Sequence, residues 1–220
     1  MKYTVRDYQV QCSAMDFSVG AIDGLDGPKT RKGIAAALEA VRGKKPEDIF
    51  HADGLHSVVW HWSGGTGSIS SAEFESYNCI VTDKAVKGPG RAIVKGRFNP
   101  KTQANYSPGQ AASHTRNANT HRIGIAMSCM FGAKESPLNV GNHPVTFDHI
   151  DNMLLMTARY CKEYDIIPSP YTTLTHAEVQ GTLNIKQKAK WDITWLPNHK
   201  RVMDPHYIGE LLRERLMDFM

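Results

Sequence analysis

The sequence predicts an α/β domain in which helices cover a sheet, preceded by a small helical module. Between residue 55 and the end of the chain, short β-branched and apolar segments occur together with long segments of helical periodicity. The first fifty residues read differently, as two helical patterns joined by a turn rich in glycine and aspartate. We therefore divide the chain into a helical module at 1–50 and a larger domain at 51–220.

The module begins with a helix whose apolar positions recur at helical spacing, at Val5, Tyr8 and Cys12. After the turn at 20–27, Pro28 suits the first position of a second, alanine-rich helix. We expect that helix to end at Gly43, because Pro46 blocks its continuation, and place the domain boundary near residues 43–55.

Three strands are predicted in the larger domain. The segments 57–62 and 77–81 are rich in β-branched and aromatic residues. The third, at 122–129, is apolar on both faces, which suits a central position in a covered sheet. The stretch 88–118 is rich in Gly, Asn, Pro and Gln, and we expect a functional surface loop there.

Two long amphipathic helices are predicted in the second half of the chain. The first begins after Thr146, whose hydroxyl suits the N-cap position. The second begins with Asp204 as the cap and Pro205 in the first turn. Both have one apolar face, as expected of helices that cover a sheet.

Composition excludes several classes of protein. With 41% hydrophobic and 22% charged residues, the chain is neither disordered nor fibrous. The net charge of +4 comes without a basic cluster, so we expect no nucleic-acid partner and no stable membrane association. The four cysteines are far apart and form no CxxC pair, which favours reduced thiols. The pattern specifies no oligomeric state.

The N-terminal residues lack the apolar core of a secretory signal, and no run of about 18 apolar residues could span a bilayer. We therefore expect a protein that is cytoplasmic at synthesis.

Two histidines and one carboxylate are candidate metal ligands. His61 lies at the end of the first strand before a glycine-rich turn, His176 follows a β-branched stretch, and Asp192 lies in a further structured segment. Such a set suits catalytic zinc, which takes three protein ligands and leaves one position for water. Read without further information, each histidine is also compatible with a core or surface role, and Asp192 with a turn.

Five blocks of the sequence carry a family resemblance: Val58-Val-Trp-His-Trp-Ser63, Ser76-Tyr-Asn-Cys-Ile-Val81, Ser113-His-Thr-Arg-Asn-Ala-Asn-Thr-His-Arg-Ile-Gly-Ile125, Thr175-His-Ala-Glu-Val179 and Lys190-Trp-Asp192. In this order they resemble the zinc-dependent N-acetylmuramoyl-L-alanine amidases, which include phage endolysins and peptidoglycan recognition proteins. The resemblance covers roughly residues 55–220. It implies a mixed central sheet with helices on both sides.

The resemblance also implies roles for individual residues. These are zinc ligation by His61, His176 and Asp192, catalysis by Tyr77 and Lys190, and substrate binding by His114 and Asn119. Some members carry a catalytic glutamate where this chain has Ala126, so the chain looks like the subgroup that uses tyrosine and lysine. The stretch from His176 to Asp192 is longer than in compact members.

The function so implied is hydrolysis of the amide bond between N-acetylmuramic acid and L-alanine in bacterial peptidoglycan, by a phage or prophage endolysin that acts on the wall after release. Two alternatives are a recognition protein that binds the wall without cleaving it, and a cysteine peptidase that uses Cys79 against stem peptides.

The turn at 23–30 resembles that of small three-helix peptidoglycan-binding modules, with a third helix expected around 46–49. The alternative for this segment is a helical hairpin that only packs against the larger domain.

Overall fold

The sheet has five strands: β1 (Ser57–Trp62), β2 (Cys79–Val81), β3 (Ile93–Lys95), β4 (Arg122–Met127) and β5 (Thr173–Thr175). The computed structural model describes residues 3–40, 50, 54–85 and 90–220. The strand order is β3-β2-β4-β1-β5. Strands β1, β2, β4 and β5 run parallel, and β3 is antiparallel to β2. The predicted mixed sheet is confirmed.

The described helices are α1 (Val5–Ala14), α2 (Pro28–Ala40), α3 (Ser71–Ser76), α4 (Phe147–Glu163), α5 (Glu178–Leu183) and α6 (Pro205–Leu216). Two 3₁₀ segments, Pro100–Asn105 and Met217–Phe219, complete the regular structure. Among the described helices, none is long and apolar enough to cross a bilayer.

Helices cover both faces of the sheet. Side chains alternate along β1, so this strand presents apolar side chains to the helices on each face. Trp60 lies in the larger apolar cluster, with Ile150 of α4 and Leu212 of α6. On the opposite face, Val59 packs with Val10 of α1, and the same cluster holds residues of β5 and α5: Leu174, Val179 and Leu183. The predicted α/β fold with helices on both sides is confirmed.

The predicted helix starts are also confirmed. The hydroxyl of Thr146 accepts a hydrogen bond from the backbone N–H of His149, and Asp204 accepts from the first turn of α6. Strand β2 begins two residues later than predicted, at Cys79.

The sequence did not predict β3, β5, α3, α5 or the 3₁₀ segment Pro100–Asn105. Among the described strands, β3 pairs only with β2, and its residues are partly exposed, so it has no long apolar pattern. Helix α3 has six residues and depends on a reciprocal cap between Ser70 and Glu73. All of the missed elements are too short for periodicity to reveal them, and β3 and Pro100–Asn105 lie within the stretch expected to be a loop.

The N-terminal helices pack against each other and against the sheet. One buried apolar cluster contains Cys12 of α1, Ala37 of α2 and Val19 from the connection between the two helices. The turn between the helices is held by Gln9, whose side-chain nitrogen donates to Asp23 Oδ1 at 2.9 Å. The expected helix end at residue 43 and the third helix at 46–49 lie outside the described residues. The division at residue 50 stays a prediction.

Candidate metal centre

The first residue of the candidate site, His61, lies near the carboxyl end of β1. In the parallel pairing of β1 with β4, Val59 is opposite Gly124 and His61 is opposite Ala126. These small β4 residues leave space for imidazole rings over the sheet. A Cβ atom at Gly124 would collide with the ring of His114.

His176 directly follows β5, so the parallel pairing of β1 with β5 brings it to the same edge of the sheet as His61. Its backbone N–H donates to the carbonyl of Trp60 at 3.0 Å. The next residue, Ala177, donates its N–H to the backbone carbonyl of Asp192 at 2.7 Å. The backbone therefore fixes all three candidate ligands relative to one another.

The segment around Asp192 is anchored by its neighbours. The rings of Trp191 and Trp62 are in edge-to-face contact with centroids 4.8 Å apart. The hydroxyl of Thr194 donates to the carbonyl of Trp191 at 2.7 Å, and Ile193 is completely buried. The Asp192 carboxylate is consequently held in one place under the histidines.

The three candidate ligands converge on one point. The Nδ1 atoms of His61 and His176 each lie 3.1 Å from Oδ2 of Asp192. The three donor atoms lie within 4.8 Å of one another, and all three residues are buried. Two imidazole nitrogens and one carboxylate oxygen are the donor set of a three-ligand zinc site with an open fourth position. These residues could hold a metal ion.

The electrostatics of the group favour the ligand forms that a metal needs. Burial raises the pKa of Asp192, but the rings of His176 and His61, at hydrogen-bond distance from the carboxylate, outweigh burial and lower this pKa below its usual range. Burial lowers the pKa of His61 to about 4. At neutral pH the carboxylate is therefore ionised and the His61 imidazole is neutral, as metal binding requires.

Of the two residues expected to be catalytic, Tyr77 contacts this group and Lys190 acts on it through its charge. The ring of Tyr77 is half-buried, with its centroid 5.2 Å from that of His61. Burial and the negative charges of Asp192 and Glu73 raise the pKa of Tyr77 above its usual range, so its hydroxyl keeps its proton. Lys190 is exposed, and its positive charge contributes to the lowered pKa of His61.

The two residues expected to bind substrate are both buried. His114 lies behind His61, with its Nδ1 3.2 Å from Nε2 of His61. Its other ring nitrogen lies 3.2 Å from the carbonyl of Arg122. Asn119 accepts the backbone N–H groups of His114 and Thr115 on its side-chain oxygen, at 3.0 and 2.8 Å. Their substrate-binding roles stay predictions.

Sequence reasoning missed Gln187, which contacts His176. Its side-chain oxygen lies 3.1 Å from Nε2 of His176. The segment alternates, with Ile185 and Gln187 buried and Lys186 and Lys188 exposed. That period of two indicates an ordered, half-buried segment. However, a glutamine between two lysines is typical of solvent-exposed sequence, so the pattern was missed.

No protein-family model matches the chain, and no curated protein matches it. Among solved structures, the chain is similar to one described as an endolysin N-acetylmuramoyl-L-alanine amidase, LysCS, from Clostridium intestinale URNW. The identity is 15%, the TM-score is 0.43, and the match covers 74% of this chain and 84% of that chain.

Proposed function

We propose that this protein is a zinc-dependent peptidoglycan hydrolase that cleaves the amide bond between N-acetylmuramic acid and L-alanine. The observation that carries the proposal is the buried group of His61, His176 and Asp192, whose donor atoms lie within 4.8 Å of one another. Tyr77 contacts His61, and Lys190 lies two residues before Asp192, in the chain order that resembles the zinc amidases.

The residues present fit zinc, and each has a definite part in the reaction. Zinc in a three-ligand site supplies Lewis acidity and lowers the pKa of a bound water toward about 7. His61, His176 and Asp192 hold and orient the metal. The charge of Lys190 acts on His61, and we assign to this side chain the stabilisation of the oxyanion that forms when water attacks the amide carbonyl.

Departure of the L-alanine amine requires a proton. His114 does not suit this step, since both of its ring nitrogens are engaged inside the protein. Tyr77 is half-buried beside His61 and keeps its hydroxyl proton. We assign proton donation in this region to Tyr77, with solvent as the source that restores it.

The cysteine peptidase alternative is disfavoured by the position of Cys79. This thiol is completely buried in the apolar cluster on the α4 side of the sheet, the face opposite to His61. Burial raises the pKa of Cys79 to about 12, so it is a thiol and not a nucleophilic thiolate at neutral pH. The non-catalytic alternative is disfavoured because a protein that only binds peptidoglycan has no need for a complete ligand set.

A digestion experiment tests the proposed reaction. Purified protein is incubated with peptidoglycan, with and without a metal chelator, and the new ends are identified by mass spectrometry. We expect free L-alanine amino termini that disappear with chelator. Cleavage inside the stem peptide, or no cleavage, would contradict the proposal.

Lys190→Ala tests the assignment of the oxyanion donor. The variant should bind zinc like the wild type and lose turnover by about 10²–10³-fold, the typical effect of removing one such donor. Lys188→Ala is the matched control, because Lys188 is an exposed lysine two residues away. Equal turnover in the two variants would show that Lys190 has no part in the reaction.

Cell-wall targeting by residues 1–50 is a further part of the proposal, as are synthesis in the cytoplasm and a phage or prophage origin. A wall-binding module raises the local substrate concentration for an attached enzyme. Leu25, in the turn that resembles peptidoglycan-binding modules, is 67% exposed. In an inactive His61→Ala background, Leu25→Ala should reduce co-sedimentation with cell walls, and Ile167→Ala, at an exposed site in the larger domain, should not. Equal sedimentation would favour the hairpin alternative.

A further inference from the structure

The first relevant feature is the contact between Gln187 and His176. The side-chain nitrogen of Gln187 donates to the backbone carbonyls of Arg116 and Ile185, at 2.9 and 3.2 Å. Carbonyl groups only accept hydrogen bonds, so the amide orientation is fixed and its oxygen faces His176. That oxygen lies 3.1 Å from Nε2 of His176. Since it also only accepts, Nε2 of His176 carries the hydrogen.

A second series of hydrogen-bond contacts leads to His61 through His114. Nε2 of His114 lies 3.2 Å from the carbonyl of Arg122, so this nitrogen carries the hydrogen of the neutral ring. The other nitrogen, Nδ1, then has a free lone pair. It lies 2.8 Å from the hydroxyl of Thr115 and 3.2 Å from Nε2 of His61. Nε2 of His61 also lies 3.4 Å from the hydroxyl oxygen of Thr115. Both groups in contact with Nε2 can accept a hydrogen bond, so we place the hydrogen of His61 on Nε2.

His114 and the loop before it are rigidly held. The ring of His114 lies directly over Gly124 of β4, where any side chain would collide with it. The loop before it is tied by Gln103, whose side chain exchanges hydrogen bonds with the backbone of Ala112 at 2.9 and 3.1 Å. His114 therefore has little freedom to turn its ring and exchange the two nitrogens.

From these contacts we propose that Gln187 and His114 are positioning residues for the metal, which fix His176 and His61 with the Nδ1 lone pairs directed at Asp192. The inference rests on the metal site of the proposed function. A neutral imidazole can place its hydrogen on either nitrogen, and only the nitrogen without hydrogen binds metal. Each of the two series of contacts ends on backbone carbonyls. Because a carbonyl cannot supply a hydrogen, these contacts determine the tautomers of His176 and His61.

The consequence is a convergence of lone pairs without a hydrogen between them. The Nδ1 atoms of both histidines and Oδ2 of Asp192 all face one another at hydrogen-bond distance. A cation satisfies all three atoms at once. Partners that orient a metal-bound histidine typically contribute about 10–100-fold to metal affinity.

Zinc affinity, measured by competition with a chromophoric chelator, tests the role of Gln187. Gln187→Leu removes the oxygen that faces His176 and should weaken zinc binding by about 10–100-fold. Gln187→Glu keeps an acceptor oxygen for His176 and loses both donor bonds to Arg116 and Ile185. We expect near wild-type affinity for Gln187→Glu and reduced thermal stability in both variants. Equal affinity losses in the two variants would reduce Gln187 to a structural role and overturn the proposal.

The role of His114 is tested by His114→Phe, which keeps a ring over Gly124 and removes the acceptor for His61. Its zinc affinity should also fall by about 10–100-fold. Because this variant risks misfolding, histidine ¹⁵N spectra of the zinc-loaded wild type give a second measurement. We expect the Nε2–H tautomer in His61, His114 and His176. An Nδ1–H tautomer in His61 or His176, wild-type affinity in Gln187→Leu, or no zinc binding by the wild type would overturn the proposal.

Neither measurement uses peptidoglycan, so the two proposals fail separately. Zinc binding with these tautomers but without peptidoglycan cleavage would refute the proposed function and support the positioning roles. Chelator-sensitive cleavage with unchanged zinc affinity in Gln187→Leu would support the proposed function and refute the positioning roles.

Discussion

Two buried aspartates, Asp192 and Asp7, lie at opposite ends of the parallel strands, and each is in contact with histidines. Asp192 lies near the carboxyl ends of the parallel strands, under His61 and His176. Asp7 of α1 lies near their amino ends, where His56 directly precedes β1 and Arg122 begins β4. The residue types are similar, but the balance of charge around the two carboxylates differs.

Asp7 is fully paired within the protein. One of its oxygens accepts the backbone N–H and the hydroxyl of Thr4, at 2.9 and 2.6 Å. The other lies 3.1 Å from Nε2 of His56 and 3.5 Å from the Arg122 guanidinium. Because arginine is permanently charged, the negative charge of Asp7 is compensated without an added ion.

Asp192 differs from Asp7 in its ion-pair partners. Within the described parts of the chain, no lysine or arginine forms an ion pair with it, and its partners are the imidazoles of His61 and His176. A buried cluster of histidine and aspartate is therefore a candidate metal centre where the carboxylate has imidazole partners and, among the described residues, no lysine or arginine ion pair. Where an arginine is included, the same residue types join α1 to the sheet.

Asp192→Ala should have the largest effect on metal binding. It removes the only carboxylate of the ligand set, so we expect loss of zinc binding and of peptidoglycan cleavage. Zinc titration monitored by calorimetry measures the first, and release of L-alanine amino termini the second. Retention of tight zinc binding would mean that the metal lies elsewhere.

Asp7→Ala should have the largest effect on stability. The substitution leaves the buried Arg122 without its ion-pair partner and removes the side-chain half of the capping box that Asp7 supplies to α1, so the free energy of unfolding should fall by about 3–5 kcal/mol. Denaturant unfolding measures this change. The folded fraction should still bind zinc with wild-type affinity. If Asp7→Ala weakens zinc binding, the two clusters are coupled, and the distinction between a stabilising cluster and a metal-binding cluster is wrong.

A smaller effect is expected from pH, through His56. Burial lowers the pKa of His56 to about 4, although Asp7 acts in the opposite direction, and Arg122 and His121 add to the decrease. The unfolded chain takes up this proton near pH 6.5 and the folded chain near pH 4, so stability falls as the pH decreases between these values. The loss is about 3 kcal/mol.

Urea unfolding of zinc-free protein at several pH values checks this prediction. His56→Gln should show a shallower decrease of stability between pH 6.5 and 4 than the wild type. Zinc-free protein is used because His61 titrates in the same range and contributes equally to both proteins. Parallel curves would show that His56 is not the group that titrates.

The sequence predicted the main features of the fold because they depend on local patterns. The periodicity of α4, its Thr146 cap and the apolar strands β1 and β4 are all evident from neighbouring residues. The edge strand β3 was missed because half-exposed residues that pair with one neighbour leave no clear pattern.

The candidate ligands were found through a resemblance, and the structure brings His61, His176 and Asp192 together. Their partners could not be predicted. Gln187 contacts His176 and Arg116 O across long sequence separations, and Asp7 meets His56 in the same way. Such contacts depend on how the strands and loops assemble, and a buried polar residue has no sequence pattern of its own.

The most direct test of the central claim is a zinc titration of chelator-treated protein in which peptidoglycan cleavage is measured at each addition. The account predicts that L-alanine amino termini appear in proportion to bound zinc and reach a plateau at one zinc per chain. Asp7→Asn should follow the same curve, and Asp192→Asn should release none. Cleavage that is independent of zinc, or zinc binding without cleavage in the wild type, would contradict the claim.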